Sequence, residues 1–241
     1  MKKEKELFER ELFQKALKSE PEFSEYQLND LETLGIFLGR YDTHFKRIYA
    51  AYRGKDPNVE IKLQKGAPLN VAFNWESKEA IISSGSNKGE IKFTLDLFLT
   101  LLGLIDLCFG NVLPTGSVVE IDMSLLPETL SSVMSQARAI IVNQKAMLHQ
   151  DVSSSLYIDY IANLWPHANQ GNIPPIFLSN VMVKSVIHKG YSTDEEREYV
   201  QNVKEVIVNT RQKSTTFMSE KELERLEEMM VASEEVGEGD V

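Results

Sequence analysis

Between Leu31 and Phe93 the spacing of apolar residues changes from three-and-four to two, and few folds accommodate that switch. Leu31, Leu34, Leu38, Tyr41, Phe45, Ile48 and Tyr52 alternate spacings of three and four, the seam of one long helix. Gly54 and Asp56-Pro57-Asn58 break it. Val59, Ile61 and Leu63 then alternate with polar residues, and Val71, Phe73 and Trp75 do the same. Ala80-Ile81-Ile82 and Ile91-Lys92-Phe93 complete an antiparallel meander of four strands. An apolar run from Leu95 to Phe109 reads as a core helix that closes the meander. It is shorter than the roughly 20 apolar residues of a membrane span and contains Asp96 and Asp106.

Around this centre the other elements follow from local signals. Glu4 to Lys18 predicts a helix with Phe8, Leu12, Phe13, Ala16 and Leu17 on one side, ended by Pro21. After Pro114 a second unit is expected. Its strands are Ser117 to Ile121, Arg138 to Val142, Leu156 to Leu164, Phe177-Leu178 and Val183 to His188, with a short helix from Leu125 to Met134. Thr193-Asp194-Glu195-Glu196 is a capping box that opens a helix through about Val208, because the threonine hydroxyl accepts from the amide three residues on. A polar break at Arg211 to Thr216 leads to a last amphipathic helix with Leu223, Leu226 and Met230, and Val231 to Val241 has the composition of an acidic, mobile tail. The class is therefore α+β: N-terminal helices with an antiparallel β meander, then a small β-rich unit with flanking helices. Along the chain this predicts a helix-plus-meander unit at 1–110, a small β-rich domain at 111–210 and a terminal helix and tail at 211–241.

Charge and cysteine content narrow the function classes. A net charge of −10 opposes nucleic-acid phosphates, and no basic, aromatic-interleaved face offsets it. Neither nucleic acid nor a membrane is expected as a partner. The single cysteine, Cys108, rules out an internal disulfide framework and lies in an apolar run. Met1-Lys2-Lys3-Glu4-Lys5-Glu6 is not followed by an apolar stretch, so no secretory signal is read there and a cytoplasmic protein is expected.

Catalytic patterns are missing where chemistry would need them. His44, His149, His167 and His188 are dispersed, none at metal-ligand spacing from another or from Cys108, so no metal and no cofactor is expected. Gly85-Ser86-Asn87-Lys88-Gly89 lacks the Gly-Lys-Ser/Thr ending of a phosphate loop and sits between two strands. Leu113-Pro114-Thr115-Gly116-Ser117 lacks the second glycine of a nucleophile elbow, and Pro114 and Gly116 suit a tight turn into a strand. Asp96 and Asp106 stand about 15 Å apart along one helix, too far to share a bond. No catalytic residue is assigned; a small hydrolase using Ser117 or His188 is the minor third class.

Two stretches have the character of an interaction surface. The Leu31 to Tyr52 seam packs on the protein's own sheet or docks another helix. Trp165-Pro166 and Asn172-Ile173-Pro174-Pro175-Ile176-Phe177 bracket a stiff, partly apolar loop that binds a partner or closes the end of a sheet. The candidate partner-binding residues are Leu38, Tyr41, Phe45, Trp165, Pro166, Pro174 and Phe177.

From Leu113 to about Val203 the order of features resembles a known family. It runs Leu113-Pro114-Thr115-Gly116-Ser117-Val118-Val119, Ile140-Ile141-Val142, Tyr157-Ile158-Asp159-Tyr160, Leu164-Trp165-Pro166 and Val186-Ile187-His188-Lys189-Gly190-Tyr191, then the acidic Asp194-Glu195-Glu196. The order is similar to that of an uncharacterised small domain family encoded in type VIIb (ESX-like) secretion loci beside LXG toxins. The resemblance implies a non-enzymatic cytosolic chaperone or adaptor whose protein partner is an LXG-type toxin. The alternative it leaves is an immunity protein that neutralises the toxic domain.

Overall fold

The computed structural model describes residues 2–63, 67–84, 88–126, 136–148, 156–166 and 174–225. The expected helix from Leu125 to Met134, the 85–87 turn, His149, His167, Leu226, Met230 and the acidic tail lie wholly or largely outside them. The chain divides into two compact units, one of residues 1–50 with 103–216 and one of residues 51–102 with 217–241. The first helices thus belong with the later strands, a grouping different from the expected division in chain order.

The unit of residues 51–102 is built on the meander. Strands β1 (Asn58–Ile61), β2 (Leu69–Asn74), β3 (Glu79–Ser84) and β4 (Lys88–Thr94) pair antiparallel in chain order. Val59, Ile61, Val71, Phe73, Ala80, Ile82 and Phe93 are buried, as the period of two requires. Phe98, near the start of the helix α4 (Leu95–Phe109), closes against Phe73 with ring centroids 5.6 Å apart at 71°. Tyr52 and Trp75 flank that pair, and Trp75 Nε1 donates to the Asp56 carbonyl at 3.2 Å.

The other unit combines helices with a six-stranded sheet. Helix α1 (Lys2–Ser19) packs against α2 (Leu28–Arg40) and against α5 (Asp194–Asn209), burying Leu12, Phe13, Ala16 and Leu17. The expected helix from Leu31 to Tyr52 is two helices, α2 and α3 (Asp42–Arg53), separated at Tyr41. Tyr41 takes φ −120° and ψ 75°, outside the helical region, and its carbonyl accepts from the amides of His44 and Phe45 to start the next helix. Leu31, Leu34, Leu38, Phe45 and Ile48 stay in the core, while Tyr41 is left 53% exposed. The heptad spacing therefore marks five of its seven positions correctly as buried, but not exposed Tyr41 or half-buried Tyr52, and it misses a break that spacing cannot record. Near the break, a Cβ on Gly39 would lie 2.4 Å from the Phe109 ring, so glycine leaves room there for that side chain.

The sheet runs β10 (Lys213–Ser214), β7 (Leu156–Trp165), β6 (Arg138–Leu148), β5 (Val118–Ile121) and β9 (Val183–His188), and β8 (Ile176–Leu178) also pairs with β7. All contacts are antiparallel except the parallel pairing of β10 with β7. β6 continues six residues beyond the expected Val142, and β10 lies where a polar break was read. Val119, Ile121, Ala139, Ile141, Tyr160, Ala162, Leu164, Leu178 and Val183 form the core on one face. Thr193 caps α5 as expected, its Oγ1 accepting from the Glu196 amide at 3.1 Å.

Candidate functional site

Strand register places the side chains of the opposite face of this sheet. Val118 pairs with Ile140, Ile140 with Asn163, Arg138 with Trp165 and Ile161 with Phe177. Ile161, Asn163 and Trp165 are two apart along β7 and so share that face. Val118, Ile140 and Ile161 are half-buried, whereas Trp165 is 49% and Phe177 61% exposed. Val142, at the bulge in β6, is also exposed. The result is an apolar strip over three strands and β8 that is interrupted by Asn163, beside Ile140 and between Ile161 and Trp165, with Glu120 and Arg138 in the same row as Trp165. Two open aromatic rings on a preordered sheet are suited to bury apolar surface of another protein, since most of their ordering cost is met in the fold.

The sequence-derived candidates separate on this geometry. Trp165, Pro166, Pro174 and Phe177 are exposed at the end of β7 and around β8, and Tyr41 is exposed at the α2–α3 junction. Leu38 and Phe45 are 1% and 4% exposed and present no surface. Leu38 and Phe45 therefore act as core, the first of the two roles read for that seam. Ser117 is fully buried and its Oγ accepts from the Gly190 amide at 3.0 Å, which holds a turn. His188 is exposed. Among the described residues no three His, Cys, Asp or Glu side chains are grouped to hold a metal ion, and no helix is long and apolar enough to cross a membrane.

Beside the core is a polar network that sequence reading did not assemble. Lys145 Nζ donates to Asp159 Oδ1 at 2.6 Å, with the two side chains 2% and 0% exposed. Asp159 Oδ2 accepts from the Asn180 amide at 3.1 Å, and Asn180 Nδ2 reaches both carboxylate oxygens of Asp106 on α4 at 3.1 and 3.2 Å. Tyr160 Oη donates to Asn180 Oδ1 at 2.6 Å and accepts from the Leu113 amide at 3.0 Å. Lys204 on α5 donates to the carbonyls of Cys108 and Gly110 at 3.3 and 2.9 Å, where the end of α4 leaves acceptors without helical partners. Lys145 Nζ also lies 4.9 Å from the centre of the Tyr157 ring.

Burial sets the protonation of these groups. It raises the Asp106 carboxyl to about 7, with the Asp159 charge adding to the effect and Lys145 and Asn180 opposing it. Burial lowers Lys204 to about 8, assisted by Lys145, and raises the Cys108 thiol to about 12. For Lys145 burial disfavours the charge, but Asp159 and Asp106 outweigh it and hold the amine above its ordinary range. Perturbed groups of this kind often mark active sites. Here Asp106, Lys145, Asp159 and Lys204 are buried, and Asn180, half-buried, joins them. The network instead fixes how β6, β7, the turn at Asn180–Met182, α4 and α5 meet.

Fold and site thus define an α+β protein with an open apolar strip on its second sheet and sealed charges at its core. Residues 112–199 match the family model described as Domain of unknown function (DUF4176). That span contains β5 to β9, Trp165, Phe177 and the Lys145–Asp159 pair, and the network ties it to Asp106 and Lys204 on either side. It coincides closely with the stretch, Leu113 to Val203, from which the family resemblance was read. No curated protein and no solved structure matches the chain.

Proposed function

We propose that this chain is a non-enzymatic accessory protein, a chaperone or adaptor that binds an LXG-type toxin for type VIIb secretion in the cytoplasm. The observation that carries the binding role is the strip of Val118, Ile140 and Ile161 flanked by exposed Trp165 and Phe177. Scattered exposed hydrophobic residues need no explanation, but half-buried aliphatic side chains and two exposed aromatic rings on one face of a sheet favour a partner. The toxin as partner rests on the resemblance of the 113–203 motifs.

The test is co-expression of the tagged chain with the toxin, split into its helical N-terminal and toxic C-terminal parts. Retention of the helical part supports the chaperone. Trp165→Asp and Phe177→Asp should each weaken that capture by about 2 kcal/mol, about thirtyfold in Kd, without changing circular dichroism. Capture unaffected by both substitutions would remove the strip as the site. The acidic balance of −10 favours one second reading, an immunity protein that occupies a basic toxic domain. That reading requires retention of the toxic part and loss of its toxicity.

A further inference from the structure

The strand β9 is the terminal strand of its sheet and, among the described residues, pairs with β5 alone. Every residue from Lys184 to His188 is exposed, and Val186 and Ile187 are 45% and 52% exposed on successive positions. An edge strand carries a row of backbone donors and acceptors that a further strand can satisfy. Both of its ends are held in place. Lys46 Nζ donates to the Val183 carbonyl at 2.7 Å, and the Gly190 amide donates to Ser117 Oγ at 3.0 Å. A Cβ on Gly190 would stand 2.2 Å from the Thr115 carbonyl oxygen, so glycine allows this close anchoring.

We infer that β9 receives an extended, acidic segment of a protein partner, which adds as a strand at this edge. This rests on the reading of the chain as a protein-binding accessory and names a second element of its interface. Charge selects the occupant. The run Val183 to Thr193 contains Lys184, His188 and Lys189 and no acid, within a chain of net charge −10. Glu120 on β5 is engaged by Lys184 at 2.8 Å and by Ser185 at 3.1 Å, which leaves the His188–Lys189 end to meet a partner's carboxylates; the acids Asp194 to Glu196 come after the run and open α5. A second copy of the chain fits worse: its own Val183 to Thr193 run contains no acid, so pairing of β9 with itself offers no carboxylate to Lys189. Tyr191, 88% exposed just beyond the edge, offers an apolar contact for the segment's end.

The experiment uses the full chain and a fluorescent heptapeptide of alternating glutamate and valine, with its lysine-for-glutamate counterpart as control. Expected are saturable anisotropy with the acidic peptide alone, slowed amide exchange at 184–188, and a loss of about fivefold or more in affinity on His188→Glu/Lys189→Glu. Both positions are exposed, so the fold is preserved and circular dichroism should be unchanged. Equal binding of both peptides, protection elsewhere, or a concentration-dependent dimer that itself protects 184–188 would overturn the inference. Toxin capture separates it from the preceding proposal. Capture lost on Trp165→Asp but intact in His188→Glu/Lys189→Glu keeps the accessory role and discards the edge; capture unaffected by Trp165→Asp and Phe177→Asp, with peptide binding retained, does the reverse.

Discussion

Replacing Lys145 with methionine should be among the most damaging single changes in the 103–216 part of the chain. The Nζ to Oδ1 distance of 2.6 Å gives a gross attraction of about 6 kcal/mol at an effective dielectric of 20, much of it offset by the desolvation of both ions. Methionine fills similar space but leaves the Asp159 carboxylate without its counter-charge in a site where its side chain is 0% exposed. The cost of such a half-removed buried pair is about 3–5 kcal/mol, and loss of the Tyr157 ring contact adds to it. For a chain of this size that lowers Tm by about 6–20 °C. Urea unfolding in a Trp75→Phe background isolates the fluorescence of Trp165 and reports on this unit. Adding Asp159→Asn should recover most of the loss, because the amide oxygen still accepts from the Asn180 amide while no charge is stranded. A Lys145→Met loss below about 1 kcal/mol, or a double variant no better than the single one, would refute the argument that a sealed charge pair fixes this junction.

The other predictions concern the same network and the turn beside β9. Asp106 has a folded value of about 7 against an ordinary 3.8, so the fold favours its protonated form; its contribution is full below about pH 4 and is lost as pH rises through about 7. Lys204, lowered to about 8 from 10.5, contributes fully above about 10.5 and loses that contribution as pH falls through about 8. Urea midpoints measured from pH 4 to 8 should fall for the wild type and be flatter for Asp106→Asn, whose amide oxygen can still accept from Asn180 Nδ2; parallel curves would exclude Asp106 as the titrating group. Gly190→Ala should cost about 1–3 kcal/mol, since the added carbon would lie 2.2 Å from one backbone atom and 2.9 Å from another, and a thermal melt within 1 °C of wild type would contradict that geometry.

Which parts of this molecule could be read from its sequence depends on the range of the forces that specify them. The meander was legible because each of its strands announces itself over a few residues, through alternation at Val59–Ile61 and Val71–Phe73 and turn residues between. The Thr193 cap was legible for the same reason, its hydrogen bond spanning three residues. The end of α2 was not, because Tyr41 satisfies the heptad while its backbone leaves the helix, and the Phe109 ring that Gly39 admits lies far along the chain. The second half of β6 was hidden by its own chemistry. Asn143-Gln144-Lys145 reads as the polar end of a strand, yet Gln144 and Lys145 are buried, and Lys145 adopts φ 47° opposite Asp159. Local pattern treats a lysine as a surface residue; only a carboxylate from the neighbouring strand makes its burial affordable. The same limit applied to the site. Trp165 and Phe177 could be picked out singly as exposed anchors, but the strip between them exists only through cross-strand register, which joins Val118 to Ile140 and Ile161 to Phe177. Leu38 and Phe45 show the converse, since seam spacing selects residues that face something without stating whether it is another protein or the chain's own core. Binding therefore has to be tested at the residues that register leaves open, and the aromatic pair on β7 and β8 is where a single charge substitution separates contact from fold most cleanly.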